Sequence, residues 1–173
     1  MNCKFCEKST TGNSKYCPEH AAIARQKWVE MIKTQSTERE NRYEKFAVVL
    51  SEAIEAGQNA FDACVPVPMI VQQHEHVLND KSPVVEQWVA SGGVCGFASV
   101  KVRPATCSFA RWLVKNGRGS NSDYAHCTYI NIRPASRGAD CQSYEKNSSW
   151  ARAFAGVLRE RLDIDVHADC RLD

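Results

Sequence analysis

Four metal-ligand residues stand in two short pairs at the front of the chain, Cys3-x2-Cys6 and Cys17-x2-His20, and no other feature restricts the fold as tightly. Two residues between donors let a tight backbone knuckle aim both side chains at one ion. Two such pairs complete a tetrahedron of thiolates and imidazole. Between them, Ser9, Thr10, Thr11, Gly12, Asn13 and Ser14 are turn formers, which suits a short hairpin. Pro18 and Glu19 precede an alanine-rich stretch, residues 21–25, that reads as a helix start with His20 in its first turn. With every position filled by protein, the expected ion is a structural zinc. Its binding energy would fold a segment too small to have a core.

A knuckle, a hairpin and a ligand on a helix start together resemble a treble-clef zinc finger, over residues 1–25. The other six cysteines, Cys64, Cys95, Cys107, Cys127, Cys141 and Cys170, share no spacing. The sequence opens without an apolar signal core, so they are expected to be free thiols in a reducing cytoplasm. No apolar run approaches the ~20 residues of a membrane span.

Residues 26–60 read as a helical arm. Ile23, Trp28, Met31 and Ile32 fall at irregular helical spacing. Thr37-Glu38-Arg39-Glu40 has the form of a capping box, which would start a second helix, although the same residues fit inside one continuous helix. Beyond it Tyr43, Phe46, Ala47, Leu50, Ala53 and Ile54 make one apolar stripe, with Gly57 as its expected end. Such a stripe serves either as buried core or as the seam of a homodimer.

Residues 61–82, with Val65-Pro66-Val67-Pro68, read as an extended connector leading to a short strand at residues 69–73. The remainder, residues 83–173, reads as a small α-β-α-β-α-β domain. Ser82-Pro83 would cap a helix carrying Val84, Val85, Trp88 and Val89, stopped by Gly92-Gly93. A strand follows at residues 94–103. Thr106 would cap a helix with Phe109, Trp112 and Leu113, closed by Asn116-Gly117. Residues 119–123 read as a loop, 126–133 as a strand, 134–141 as a loop, 143–162 as a long helix and 163–170 as the third strand. The fold class is thus α+β: a zinc finger and helical arm, then a three-stranded unit with its helices on one face of the sheet.

Period-two alternation supports the single covered face. Ala98, Val100 and Val102 oppose Ser99, Lys101 and Arg103; Ile130 and Ile132 oppose Tyr129, Asn131 and Arg133; Ile164, Val166 and Ala168 oppose Asp165, His167 and Asp169. A sheet covered on both sides would show continuous apolar runs. The open face is expected to present Lys101, Arg103, Tyr129, Asn131, Arg133 and His167 to a ligand or partner. Aromatic rings stack on bases and cations meet phosphates. Against that stands simple cross-strand pairing of Asp165 and Asp169 with Lys101 and Arg103.

Charge placement is uneven behind a net +2. Residues 61–93 hold four carboxylates against Lys81, for −3. Residues 94–140 hold seven lysines and arginines against Asp123 and Asp140, for +5. A basic middle segment suits phosphates or an acidic partner.

Catalytic sets are wanting. His126 and Cys127 are neighbours on an expected strand and face opposite ways. Cys95 lies near glycines without a positioned base. His74 and His76, with Asn79 and Asp80, match no metal motif, and Gly117-Arg118-Gly119-Ser120 lacks the spacing of a phosphate-binding loop. The residues therefore favour a binding protein over an enzyme. The alternatives are a small nuclease-like enzyme or a nucleotide-sequestering protein.

Three segments, Gly93-Val94-Cys95-Gly96-Phe97-Ala98-Ser99-Val100, Gln142-Ser143-Tyr144-Glu145-Lys146 and Cys170-Arg171-Leu172-Asp173, resemble parts of small proteins encoded by tailed bacteriophages. The resemblance spans residues 64–173. That family has no assigned activity, so it implies a setting, the cytoplasm of a bacterial host, and a host protein or nucleic acid as partner.

Overall fold

The computed structural model describes residues 2–10, 14–136 and 142–173. The turn formers Thr11, Gly12 and Asn13, and residues 137–141 with Arg137, Asp140 and Cys141, lie outside the described residues. The architecture is α+β, with two antiparallel sheets and three helices among the described residues. The chain divides into two compact units, Met1–Lys45 and Phe46–Asp173.

The first unit opens with a knuckle closed by Cys3 N–H donating to the Lys8 carbonyl at 3.0 Å, beside a bridge between Asn2 and Ser9. Lys4 N–H donates to the Lys15 carbonyl at 3.1 Å. The chain then enters helix α1 (Pro18–Ala63), its first full turn closed by Ala21 N–H on the Cys17 carbonyl. Proline at the first helical position leaves no amide unpaired, since its N–H would have had no partner.

Helix α1 is continuous, so of the two readings open at residues 37–40 the unbroken helix is the one adopted. The hydroxyls that could have capped a new helix are used inside this one. Thr37 Oγ1 donates to the Lys33 carbonyl at 3.2 Å and Thr34 Oγ1 to that of Glu30 at 3.0 Å. No glycine or proline interrupts residues 19–56. Gly57 does not end the helix either, which runs to Ala63 before the Val65-Pro66-Val67-Pro68 segment.

In the second unit the part of α1 from Phe46 onward is buried along Phe46, Val49, Leu50, Ala53, Gly57 and Phe61. Much of the predicted stripe is therefore core of its own chain. Phe46 meets Phe109 and Trp112 edge-on, with ring centroids 5.2 and 5.8 Å away. Each such pair is worth about 0.5–1.5 kcal/mol beyond the area it buries.

Strands β1 (Met69–His74) and β2 (Val84–Ala90) form a separate antiparallel hairpin. This corrects the helix expected after Ser82-Pro83. Val84, Val85, Trp88 and Val89 fit a helical stripe, but they equally fit a strand that is apolar on both sides, and β-branched and aromatic residues favour the latter. Ser82 does not cap a helix; its hydroxyl donates to the Asn79 carbonyl at 2.7 Å and accepts from His76 N–H at 3.1 Å, locking the hairpin turn.

The main sheet has four strands, not three: β3 (Gly96–Arg103), β4 (Gly119–Ser122), β5 (Cys127–Ile130) and β6 (Asp165–Leu172), in the order β4-β5-β3-β6 and antiparallel throughout. Residues 119–122, expected as loop, pair with β5 because polar, short side chains tolerate an edge strand. His126 precedes β5 with φ of +48°, so the strand begins one residue later than predicted.

Helix α2 (Ser108–Lys115) is capped by the Cys107 sulfur, which accepts from Ala110 N–H, in place of the expected Thr106. It closes at Asn116 and Gly117, whose φ of +67° glycine adopts without strain. Helix α3 (Tyr144–Leu162) is capped by Ser143 and ends on Asp163 in the left-handed region. Both helices pack on the sheet. Ala98, Val100, Val102, Ile130 and Val166 are buried, as are Trp112 and Leu113 of α2 and Trp150, Phe154 and Leu158 of α3.

Candidate functional site

The Cys3, Cys6, Cys17 and His20 donors lie within 4.8 Å of one another. Among the described residues they are the group that could hold a metal ion. The knuckle presents Cys3 and Cys6, while Cys17 sits just before α1 and His20 in its first turn. His20 turns Nδ1 inward, 3.2 Å from Cys17 Sγ, 3.4 Å from Cys6 Sγ and 3.6 Å from Cys3 Sγ; Cys6 and Cys17 are 3.7 Å apart. All four donors thus converge on one small space, as ligands of a single ion must. Burial pushes the Cys3 thiol up, but backbone hydrogen bonds from Cys17, Phe5 and Cys6 outweigh it and bring it down to about 6. A backbone hydrogen bond at Lys8 lowers Cys6, yet burial and the neighbouring thiols leave it raised overall. Two thiols crowding each other in this way is the electrostatic condition that a cation relieves.

Around the cluster, the Phe5 ring stacks on Tyr16 at 5.6 Å and leans on the His20 ring at 5.7 Å. Lys8 Nζ bonds Glu19 at 2.9 Å across the module. No helix is long and apolar enough to cross a membrane among the described residues.

On the main sheet, register decides which predicted residues meet. Lys101 of β3 lies between Tyr129 of β5 and His167 of β6. Its ammonium bonds Asp169 at 2.7 Å and sits 5.2 Å from the centre of the Tyr129 ring. The Asp169 carboxylate holds that ammonium above its ordinary value against burial, with the Tyr129 hydroxyl adding to it. Tyr129, Asn131 and Arg133 line one hollow of about 370 Å³ with Phe97, Ser99, Ser120, Asp169 and Arg171. Arg133 is fixed by donating one Nη1 bond to the Ala98 carbonyl at 2.6 Å, which leaves the rest of its five-donor fork. Ser120 Oγ donates to Asn131 Oδ1 at 3.1 Å.

Arg103 and His167 stand apart from that hollow. Arg103 is opposite Asp165 in the ladder, and Asp165 also accepts from His167 Nε2. Exposed Arg103, Arg133 and Arg171 with half-buried Lys101, against Asp165 and Asp169, leave this face at +2.

Phe97, Ser99, Ser120 and Arg171 line the hollow but were not among the residues expected to bind. Two of them were within reach of the alternation: carried one step back from Ser99 it reaches Phe97, and one step past Asp169 it reaches Arg171. The two face each other across the ladder, with the guanidinium 5.6 Å from the ring centre. Ser120 needed β4, which the sequence reading had as loop. His74 and His76 are absorbed by the hairpin turn, where His74 Nδ1 contacts the Ser82 carbonyl at 2.7 Å.

No family model, no curated protein and no solved structure matches this chain.

Proposed function

We propose that this chain is a non-enzymatic nucleic-acid-binding protein: a zinc-stabilised finger joined to a body whose open sheet face receives a single strand. The reading rests on one observation, the hollow in which Tyr129 and Phe97 lie with Arg133 and Arg171, while Lys101 sits against the Tyr129 ring beside it. Bases stack on aromatic rings and on guanidinium planes, while the same cations meet phosphates. A duplex offers neither exposed base faces nor a backbone narrow enough for so small a hollow. The resemblance of residues 64–173 to tailed-phage proteins favours a bacterial cytoplasm, with host nucleic acid as the target.

The finger is assigned zinc. Bond lengths of about 2.3 Å to sulfur and about 2.0–2.1 Å to nitrogen predict tetrahedral edges of roughly 3.8 Å between sulfurs and roughly 3.6 Å from sulfur to nitrogen. The Cys6–Cys17 separation of 3.7 Å and the sulfur-to-nitrogen separations of 3.2, 3.4 and 3.6 Å fall near or somewhat inside those edges, which supports the assignment. Four protein ligands leave no place for a reacting water, so the ion's role is to hold the knuckle on the helix start.

Fluorescence anisotropy with labelled single-stranded and duplex oligonucleotides tests the reading. Binding should favour the single strand and weaken with salt. Tyr129→Ala should weaken it about 5- to 150-fold, in line with about 1–3 kcal/mol per stacked base. Arg133→Ala with Arg171→Ala should flatten the salt dependence. Equal affinity for duplex, or indifference to all three substitutions, refutes it. A stabilising effect of mononucleotides alone would favour a sequestering role instead.

A further inference from the structure

The β1–β2 hairpin has no third strand on either edge among the described residues. A lone two-stranded hairpin is marginal in water, and this one is dressed for an interior. Ile70 opposes Val89 on one face, and Val71 opposes Trp88 on the other. Ile70, Val89 and Trp88 are nevertheless 61, 61 and 47 % exposed, and Val84 and Val85 beside the bulge 43 and 59 %. At the turn, Val77 and Leu78 are 86 and 100 % exposed. A hairpin that rests on its own body has one apolar face and one polar face. Apolar side chains exposed on both faces call for cover on both.

The base of the hairpin is fixed. Val67 N–H donates to the Glu145 carboxylate at 2.6 Å, and Tyr144 N–H to the Val94 carbonyl at 2.9 Å, so both ends are tied to the first turn of α3. The free edges carry none of the usual guards: neither β1 nor β2 contains a lysine or a proline, and Glu86 is the one carboxylate in the two strands.

We infer that the hairpin is a dimerisation arm, covered by a second copy of this chain. Area argues for it. The seven exposed side chains, six of them aliphatic, present on the order of 500 Å² per copy, at about 60–120 Å² each from about 1.5–3 kcal/mol per buried side chain and about 25 cal/mol per Å², which is the larger part of the roughly 800 Å² that a standard interface takes from each partner. Charge argues for a like partner. A two-fold interface brings identical patches together, and strands this poor in charge meet their own copies with little repulsion. Their content of tryptophan and methionine, Trp88 and Met69, is that of an interface centre.

Sedimentation equilibrium of the full zinc-loaded chain, with deuterium exchange, tests the inference. The expected result is a dimer whose amides at residues 70–73 and 86–89 are protected. Val85→Glu with Val89→Glu should weaken association at least tenfold and speed exchange there, with the melting of the body unchanged. Trp88→Lys, on the other face, should do the same and serves as the independent variant. Trp28→Glu with Met31→Glu, on the exposed part of α1, should leave the mass unaltered. A monomer at every concentration overturns the inference, because a different partner would then cover the arm. So does a dimer that survives both hairpin variants, or one lost only in the α1 variant.

Discussion

Gly57 of α1 touches the indole of Trp150 so closely that a Cβ at position 57 would lie 2.8 Å from Nε1 and 2.9 Å from Cδ1. The indole is 1 % exposed and has no room to move. That contact explains a glycine in the middle of a long helix, where it costs about 1 kcal/mol relative to alanine. Gly57→Ala gains that propensity but overpacks the core by about 1–3 kcal/mol. The expected net effect is a loss of up to about 2 kcal/mol, read as a lower denaturant midpoint. Gly156 of α3 makes the comparison, since a Cβ there meets nothing within 4 Å. Gly156→Ala should raise stability by about 0.5–1 kcal/mol.

Removing the metal should unfold the finger and leave the body standing. The knuckle is held mainly by four donors, and thiolates without an ion repel. Chelation, or Cys17→Ser, should abolish protection of amides in residues 3–20 and release one equivalent of zinc per chain, while the thermal transition of residues 46–173 stays in place. Cys64→Ser and Cys95→Ser, outside the cluster, should release none. Retained amide protection after complete chelation would show that the finger folds without an ion.

Asp169→Asn should move binding and stability in opposite directions. The carboxylate lines the hollow and neutralises Lys101 at 2.7 Å. Losing it removes a negative charge that repels phosphate, so single-strand affinity should rise several-fold at low salt. Stability should fall by no more than about 1 kcal/mol, since the Asp169 side chain is 51 % exposed and the pair is screened. The pH sign follows from the raised Lys101. Its contribution is complete below the ordinary lysine value and is lost only as pH rises through the higher folded value. The affinity gain should therefore be constant from neutral pH to mildly alkaline pH. Titration of single-strand binding by the two proteins at several pH values checks the first sign, and their urea midpoints check the second.

What the sequence carried plainly was whatever two or three neighbouring residues decide. The four-donor pattern and His20 in a first helical turn are local in that sense, and so is the Asn116-Gly117 stop. The alternation of β3 and β6 was equally legible, because burial there is one-sided. The sequence misled, or left two readings open, where one pattern satisfies two structures. Val84, Val85, Trp88 and Val89 fit a helix face or a two-sided strand, and only pairing with Met69–His74 decides between them. Thr37 to Glu40 fits a cap or a helix interior, and the choice turns on hydrogen bonds to Lys33 and Glu30. Residues 119–122 have almost no strand propensity and owe their place to β5. The hollow was half legible for the same reason: its β3 and β6 residues follow the alternation, whereas Ser120 belongs to a strand that exists only through its neighbour.

Ser148 of α3 is 3 % exposed, and its hydroxyl is the one buried side-chain polar atom without a hydrogen-bond partner among the described residues. A buried, unpaired hydroxyl forfeits its bonds to water and gains nothing in return, a cost of about 1–3 kcal/mol. Its neighbour Asn147 is equally buried, yet donates Nδ2 to the Gly96 carbonyl at 3.2 Å and so ties α3 to the first residue of β3. The two adjacent polar residues should therefore respond in opposite ways. Ser148→Ala removes the unpaired oxygen, adds helix propensity and leaves a void smaller than a methyl group, so stability should rise by about 1 kcal/mol. Asn147→Ala strands the Gly96 carbonyl and opens a larger gap, so it should lose about 1–3 kcal/mol. Urea midpoints of the two variants, measured with the metal site loaded, decide the matter; a Ser148→Ala protein less stable than its parent would mean that the hydroxyl has a partner after all.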